Sequence, residues 1–484
     1  MGRLSNIPIE ELNNRIDGLS ISNGSIENWA KTFVATPQRI FQPNTIEDVE
    51  YIIEAAFRQQ IRVKPVGVWH SPSDLSCSDE WMIRMHKLAG VINVDTTSRQ
   101  ITVYSGTLLR EINEKLEENN LAMPILGSIS DQTIAGCLAT ATHGSGIQYR
   151  SMSSYVRSLS LLLSNGDILE CSNTSHSDLF NATLCSLGAT GVILTITLSV
   201  DEKFNLHEIV MPLSFDDYMS SEAEWLERWY TAPFVKALWV PQANGISLFQ
   251  SYKSFSDVFS TGNTLGGFLF SLVLQPLLLV KKYIPMIAPL ISNLAWRYLF
   301  GSYSQRVDKS FNVFNMDCGL LQYTTEWSVP LSKGYKCLLE LNEWLKYEND
   351  VDFPLEIRVA KSDDIFLSPA NKITPYGQES HYLWIGVIKY KPYNCKVRYR
   401  KTFRKFEDIL RKYNGRAHWA KHSTQTPQEV GEKYPLLNKY LDVIKTYDEE
   451  GMFINPFVER HLISEKNDNN SRDFKSYQVE SHGF

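Results

Sequence analysis

The sequence predicts a mixed α+β protein of at least two domains. Helix-like and strand-like hydrophobic patterns alternate through the first 200 residues, and beyond that point the segments lengthen and aromatic side chains increase. A chain of 484 residues can bury a large core, and 43% hydrophobic against 21% charged residues excludes wholesale disorder.

The elements follow in order. In "NTIEDVEYIIEAAFRQQ", Thr45 and Asp48 form a capping pair, and Ile46, Val49, Ile52, Ile53, Ala56 and Phe57 share one helical face. A strand over residues 61–66 empties into the loop "GVWHSPSD". "GVINVDTTSRQITVYSG" reads as two strands around a polar turn, after which Thr107 caps a helix carrying Leu109, Ile112 and Leu116 on one side. "GSISDQTIAGCLATATHGSG" is too dense in small residues to hold large side chains. A hairpin turning at Asn165-Gly166 follows, and "HSDLFNATLCSLGATGVILTITLSV" reads as a helix, a glycine turn and a buried strand.

The block "LGGFLFSLVLQPLLLVKKYIPMIAPLISNLAWRYLF" (265–300) stands apart. Its uninterrupted apolar run of about 15 residues falls short of the roughly 20 that span a bilayer, and Pro276, Pro285 and Pro289 would break a spanning helix. Two readings remain. The block is either a pair of buried helices or an interfacial hairpin anchored by Lys281, Lys282, Tyr283, Trp296 and Arg297.

Several chemistries have no foothold. A net charge of -6 argues against nucleic acid as a partner. Seven cysteines without a C-x-x-C spacing point to reduced thiols rather than a disulfide framework or a zinc site, so no metal is expected. There is no G-x-G-x-x-G after a strand, no Walker A loop, no H-E-x-x-H and no G-x-S-x-G. Three small-residue loops remain, at 66–74, 128–146 and 188–191. Such loops let backbone amides converge on phosphate oxygens, which suits a pyrophosphate cofactor. Glu356 and Arg358 lie two apart in a strand-like run, hence on one face. "SDD" at 362–364 reads as a cap or turn.

"VGVWHSPSD", "GSISDQTIAG", "ATHGSG" and "LGATGVI", in this order and spacing, resemble the flavin domain of the vanillyl-alcohol-oxidase (PCMH-type) family. "FPLEIRVAKSDDIFLSPA", "GRAHWAKH" and "DEEGMFINPFVERHL" narrow the resemblance to the sugar-1,4-lactone oxidases, animal L-gulonolactone oxidase and fungal D-arabinono-1,4-lactone oxidase. The similarity runs from about Thr32 to His461.

This resemblance implies a two-subdomain FAD-binding domain (25–203) and a cap domain built on an antiparallel sheet (204–414), the latter carrying an apolar membrane-contact segment (265–300). A C-terminal segment (415–465) would return to the flavin, followed by a polar tail (466–484). FAD would be bonded through its 8α-methyl to His70 and cradled by Val66, Gly67, Val68, Trp69, Ser71 and Pro72. Gly127, Ser128, Ser130, Thr133, Gly136, Thr140, His143 and Gly144 would form a second stretch of the cradle, and Gly188, Gly191, Val192 and Ile193 a third. Trp69 stands where family members commonly carry a small residue. Glu356 and Arg358 would hold the substrate and help deprotonate its 2-hydroxyl, and Lys421 would sit by the flavin N1–C2 edge.

The implied reaction is FAD-dependent oxidation of L-gulono-, L-galactono- or D-arabinono-1,4-lactone at C2. Oxygen is the acceptor, and the products are H2O2 and ascorbate or an analogue. The alternatives are a same-fold dehydrogenase or oxidase of another secondary alcohol, and a membrane-bound flavoprotein without catalysis. The resemblance also implies a membrane surface as partner: the mitochondrial outer membrane in fungi, the endoplasmic reticulum in animals.

Overall fold

Three sheets, two small and one large, set the architecture. The computed structural model describes residues 4, 6–21, 24–261, 264–316, 319–463 and 477, with the side chains of 264–267 excepted. Cys318 and all of the tail 466–484 except Tyr477 lie outside the described residues.

The first sheet holds β1 (Ser20–Ile21), β2 (Arg39–Phe41), β3 (Val63–Val66) and β4 (Trp81–Arg84) in the order β1-β2-β4-β3, with β2 and β3 parallel to β4. The crossover from β2 to β3 is α1 (Ile46–Gln59), which begins at the Thr45–Asp48 capping box. Val49, Ile52, Ile53 and Ala56 are buried on it, whereas Phe57 in its last turn is 43% exposed rather than part of the buried face.

The second sheet is antiparallel: β5 (Val91–Asp95), β6 (Gln100–Tyr104), β7 (Val156–Leu162), β8 (Ile168–Ser172) and β9 (Val192–Ser199), in the order β8-β7-β9-β6-β5. Helix α2 (Leu109–Glu118) buries Leu109, Ile112 and Leu116. Its cap is not Thr107. The Glu111 carboxylate accepts from the Leu108 amide, while the Thr107 hydroxyl bonds to Tyr104 O and accepts from Gly90 N in the preceding turn. A short helix, α3 (Ile134–Leu138), follows the small-residue stretch.

The third sheet has nine strands, all antiparallel: β10 (Asn205–Ser214), β11 (Phe234–Val240), β12 (Gly245–Ser254), β13 (Phe259–Ser260), β14 (Ser304–Lys309), β15 (Gln322–Pro330), β16 (Leu355–Lys361), β17 (His381–Tyr390) and β18 (Arg416–Ala417). Their order is β13-β14-β10-β12-β11-β16-β17-β15-β18. Alternation along β15, β16 and β17 sends Trp327, Val329, Ile357, Val359, Ile385 and Val387 to one face. Their core includes Leu338 and Leu341 of α6 (Leu331–Leu345) and Phe403 and Phe406 of α7 (Arg400–Lys412). The polar residues of the same strands are thereby left on the opposite face, toward the first two sheets.

Contacts between residues 146–151 and the end of β16 join the halves. Gly146 N donates to Val359 O at 2.7 Å and Lys361 N to Tyr149 O at 2.8 Å. Asp363 caps its turn, accepting from Ile365 N at 3.3 Å. It is buried and accepts from the Ser151 and Ser368 hydroxyls at 2.7 and 2.8 Å, so this acid is a joint between the halves.

The apolar block forms α4 (Thr264–Tyr283), which runs through Pro276, and α5 (Ala288–Ala295). Phe270, Leu274 and Leu278, at i, i+4 and i+8, are buried with Ile291 and Ala295, while Phe268, Leu269 and Leu272 face outward. Among the described residues no helix is long and apolar enough to cross a membrane. Two of the expected anchors are structural instead. Lys281 is buried and ion-paired with Asp352 at 2.6 Å, and the half-buried Trp296 packs so closely on Gly245 and Gly301 that neither could carry a Cβ.

Candidate functional site

Between the loops of the two small sheets and the polar face of the large one lies a cleft enclosing about 1660 Å³, its open mouth included.

The wall on the small-sheet side is made of backbone and short side chains. Residues 66–72 leave β3 and pass the start of α3. There a Cβ on Gly67 would lie 2.1 Å from Thr133 Oγ1, so only glycine lets the loop pass. Gly127, Ser128, Gly136, Thr140, His143 and Gly188 complete this wall. The His70 ring stacks on Trp29, with centroids 5.5 Å apart. Trp69 adopts φ +56°, a left-handed conformation that costs a bulky residue roughly 1–2 kcal/mol. This backbone explains why a small residue suits the position. The Trp69 ring is held by the Arg84 guanidinium, 4.5 Å from its centroid.

The cleft fits an FAD group. Trp69 Nε1, Ser76 Oγ and Gln322 Oε1 belong to residues lining the cleft, are buried, and have no hydrogen-bond partner among the described residues. Buried polar atoms are rarely left in that state, and a bound polar group resolves it.

The wall on the large-sheet side is a short polar array. Glu356 on β16 pairs in register with Gly386 on β17, which pairs with Glu326 on β15, so the two carboxylates flank a residue without a side chain. Two residues along, Arg358 pairs with Trp384. The Arg358 guanidinium donates to Glu326 and lies 3.5 Å from Glu356. The Ser128 hydroxyl, from the other wall, is 3.5 Å from Glu356 Oε1 and 3.4 Å from Arg358 Nη1.

Behind the array, His143 stacks on Trp384 at 3.7 Å and its Nε2 lies 3.4 Å from Glu326. His143, Glu326 and His418 bring one polar atom each within 4.8 Å of one another. Burial would raise the Glu326 carboxyl, but the Arg358 guanidinium, then His143 and Lys421, outweigh it and hold the group well below the usual carboxylate range. Burial pushes His418 down to about 3, and burial and then Arg358 lower His143.

Lys421 reaches the cleft from the C-terminal segment. That segment also braces the flavin loop. Arg460 holds Asp74 through two bonds of 2.7 Å, Arg62 pairs with Glu459 at 2.7 Å, and Val63 N donates to Met452 O at 2.9 Å.

Five expected residues do not line the cleft. Ser130 is turned to Asn315, its hydroxyl bonding at 2.9 Å. Gly144 sits against Ile125 and Leu126, where a Cβ would approach to 2.5 Å. Gly191 lies over Leu162 O, and Val192 and Ile193 are buried strand residues paired with Leu162 and Leu161, so these three close the second sheet. Conversely, Trp29, Lys64 and Glu326 line the cleft and were not expected. Lys64 donates to Leu187 O at 2.7 Å, and burial pushes its amine down to about 7. A lone charge inside a strand-like run, as in "VKPV" and "QYTTEWSVP", is the signal that points to Lys64 and Glu326.

The fold and this cleft define a flavin-dependent oxidoreductase of the vanillyl-alcohol-oxidase type. Cholesterol oxidase from B. sterolicum has the same fold, with a TM-score of 0.76 at 15% identity over 94% of this chain and 98% of that one. Residues 37–172 match an FAD binding domain, and residues 196–461 match the D-arabinono-1,4-lactone oxidase family. L-gulonolactone oxidases of Bos taurus and Scyliorhinus torazame are 32% and 31% identical, each over 90% of this chain and 97% of theirs. The D-arabinono-1,4-lactone oxidase of Candida albicans is 30% identical over 84% of this chain and 85% of its own. The chain belongs to this sugar-lactone oxidase family and is an FAD-dependent enzyme.

Proposed function

We propose that this chain oxidises a sugar 1,4-lactone at C2, the candidates being L-gulono-, L-galactono- and D-arabinono-1,4-lactone, with O2 as final acceptor. The observation that carries the reading is the Glu356–Arg358 pair, which faces the FAD-fitting wall within reach of Ser128. Bound FAD supplies the acceptor for the C2 hydride and the centre at which O2 is reduced. Arg358 donates to a lactone oxygen and orients the ring. Glu356 takes the proton of the 2-hydroxyl as C2–H departs with both electrons. Lys421 places a cation where negative charge accumulates. His70 would hold the FAD through its 8α carbon, the new C–N bond replacing a C–H of the methyl group, with the proton passing to solvent and the two electrons to O2. O2 accepts the two electrons and two protons as H2O2, and the 2-keto product enolises to ascorbate or an analogue.

Oxygen uptake with the three lactones tests the reading. Peroxide is expected in stoichiometric amount with at least one of them, and none with any would overturn it.

We also propose that the enzyme works docked on an internal membrane through α4 and α5. Phe268 and Leu272 are each 60% exposed, Tyr283 71% and Met286 85%, a set of outward apolar side chains of the kind that marks an interaction surface. Lys282 and Arg297 border it. The turn at 392–394 touches α4 through Tyr393 N and Gln275 Oε1 at 2.9 Å, and leads into the exposed cations Lys396, Arg398, Lys401, Arg404 and Lys405. Such a pairing of apolar surface and cations suits an anionic bilayer. In liposome sedimentation, Leu272→Ser with Met286→Ser is expected to lower partitioning at least tenfold, since burying each side chain contributes roughly 1.5–3 kcal/mol. Wild-type protein that stays in the supernatant at every lipid composition would refute the docking.

A further inference from the structure

We infer that Glu326 is the standing counter-ion of Arg358, and that it leaves Glu356 free to act as the base. The inference rests on the assignment of Glu356 and Arg358 to the substrate, and goes beyond it by giving the third acid of the array a role.

The geometry divides the two carboxylates. Glu326 is buried, and its Oε1 takes the Arg358 guanidinium in a direct hydrogen bond. Glu356 is partly open to the cleft and lies 3.5 Å from the same guanidinium, beyond good hydrogen-bond range for an ion pair. One arginine thus has two possible partners, on either side of Gly386. A base hydrogen-bonded to a guanidinium is a weaker proton acceptor than one that is not. By engaging the arginine from behind, Glu326 keeps its fork in place for the lactone and keeps it off Glu356.

The charged groups near Glu356 are few. They are Arg358 on its own strand, Glu326 on β15, Lys236 on β11 paired with Glu208 on β10, and Lys421 in the cleft. Of these, only Arg358 is an ion-pair partner of Glu356 among the described residues.

The test is Glu326→Gln, which keeps the side-chain size and removes the charge. Arg358 then turns to Glu356. The acid limb of the kcat/KM profile for L-gulono-1,4-lactone should move to lower pH, because a carboxylate paired with a cation holds its proton less tightly. In the plateau kcat should fall on the order of 100-fold, the scale of a misplaced catalytic group, while KM changes less. Glu326→Asp keeps the charge but retracts it by one methylene, and should shift the limb the same way by a smaller amount. It serves as the reporter where the glutamine variant does not accumulate as holoprotein. A purely packing role for Glu326 would lower yield or melting temperature and leave the pH limb of the surviving enzyme where it was. That result, in either variant, overturns the inference. Full turnover in a Glu356→Gln enzyme would instead overturn the substrate-site assignment beneath it.

Discussion

Glu356→Gln is expected to lower kcat/KM for the lactone by about 10² to 10⁴, the range spanned by positioned general bases. That corresponds to roughly 3–5 kcal/mol of lost transition-state stabilisation. The substitution keeps the side chain's shape and a carbonyl oxygen to accept from Ser128, whose hydroxyl lies 3.5 Å away, so the wall of the cleft is preserved. What disappears is the capacity to take the 2-hydroxyl proton as hydride leaves C2. The loss should fall mainly on kcat, with KM little changed, because Arg358 still meets the lactone. Steady-state oxygen uptake at saturating substrate checks this, with flavin absorbance used to count active sites. A variant that retains wild-type kcat would place the base elsewhere.

The second large effect concerns the cofactor. In His70→Ala, acid-denatured protein should release all of its flavin, whereas the wild-type band should stay yellow and fluorescent on a denaturing gel. His70 stacks on Trp29 in a loop whose other members, Trp69 apart, are backbone and short side chains, so the change removes one bond and leaves the cradle. Trp69→Gly is the informative companion. Glycine occupies φ +56° without strain, so that variant should keep the yellow band and gain on the order of 1 kcal/mol in stability, less the contact with Arg84. A wild-type band without fluorescence would show that His70 makes no covalent bond.

Much of the fold was legible in the sequence because its signals are local. The capping box at Thr45 and Asp48, the stripe Leu109–Ile112–Leu116 and the hairpin turn at Gly166 each depend on neighbours within a few residues. The flavin wall was legible for a related reason: loops that must approach a ligand closely are written in small residues, and most of the residues expected there do line the cleft. Those that do not, such as Gly191 and Val192, belong to the same motif but close the second sheet. Legibility ended where partners come from strands far apart in the chain. Nothing near Glu326 announces Arg358, 32 residues away, or His418 beyond the last long strand of the sheet. The anchor Lys281 misled for the converse reason. A lysine after an apolar run looks like a headgroup contact until Asp352, 71 residues on, is folded against it.

The flavin loop has braces that arrive late. Asp74 is held by Arg460, 386 residues downstream, and Val63 by Met452, while α1 shares its core with Met452 and Phe453. During synthesis the stretch around His70 therefore leaves the ribosome long before the residues that fasten it. Secure cofactor capture therefore waits for residues 452–460, and a product terminated before Met452 would carry every residue of the small-residue wall yet lack the clasp that sets it. Tight possession of flavin would thus report that translation has passed Arg460.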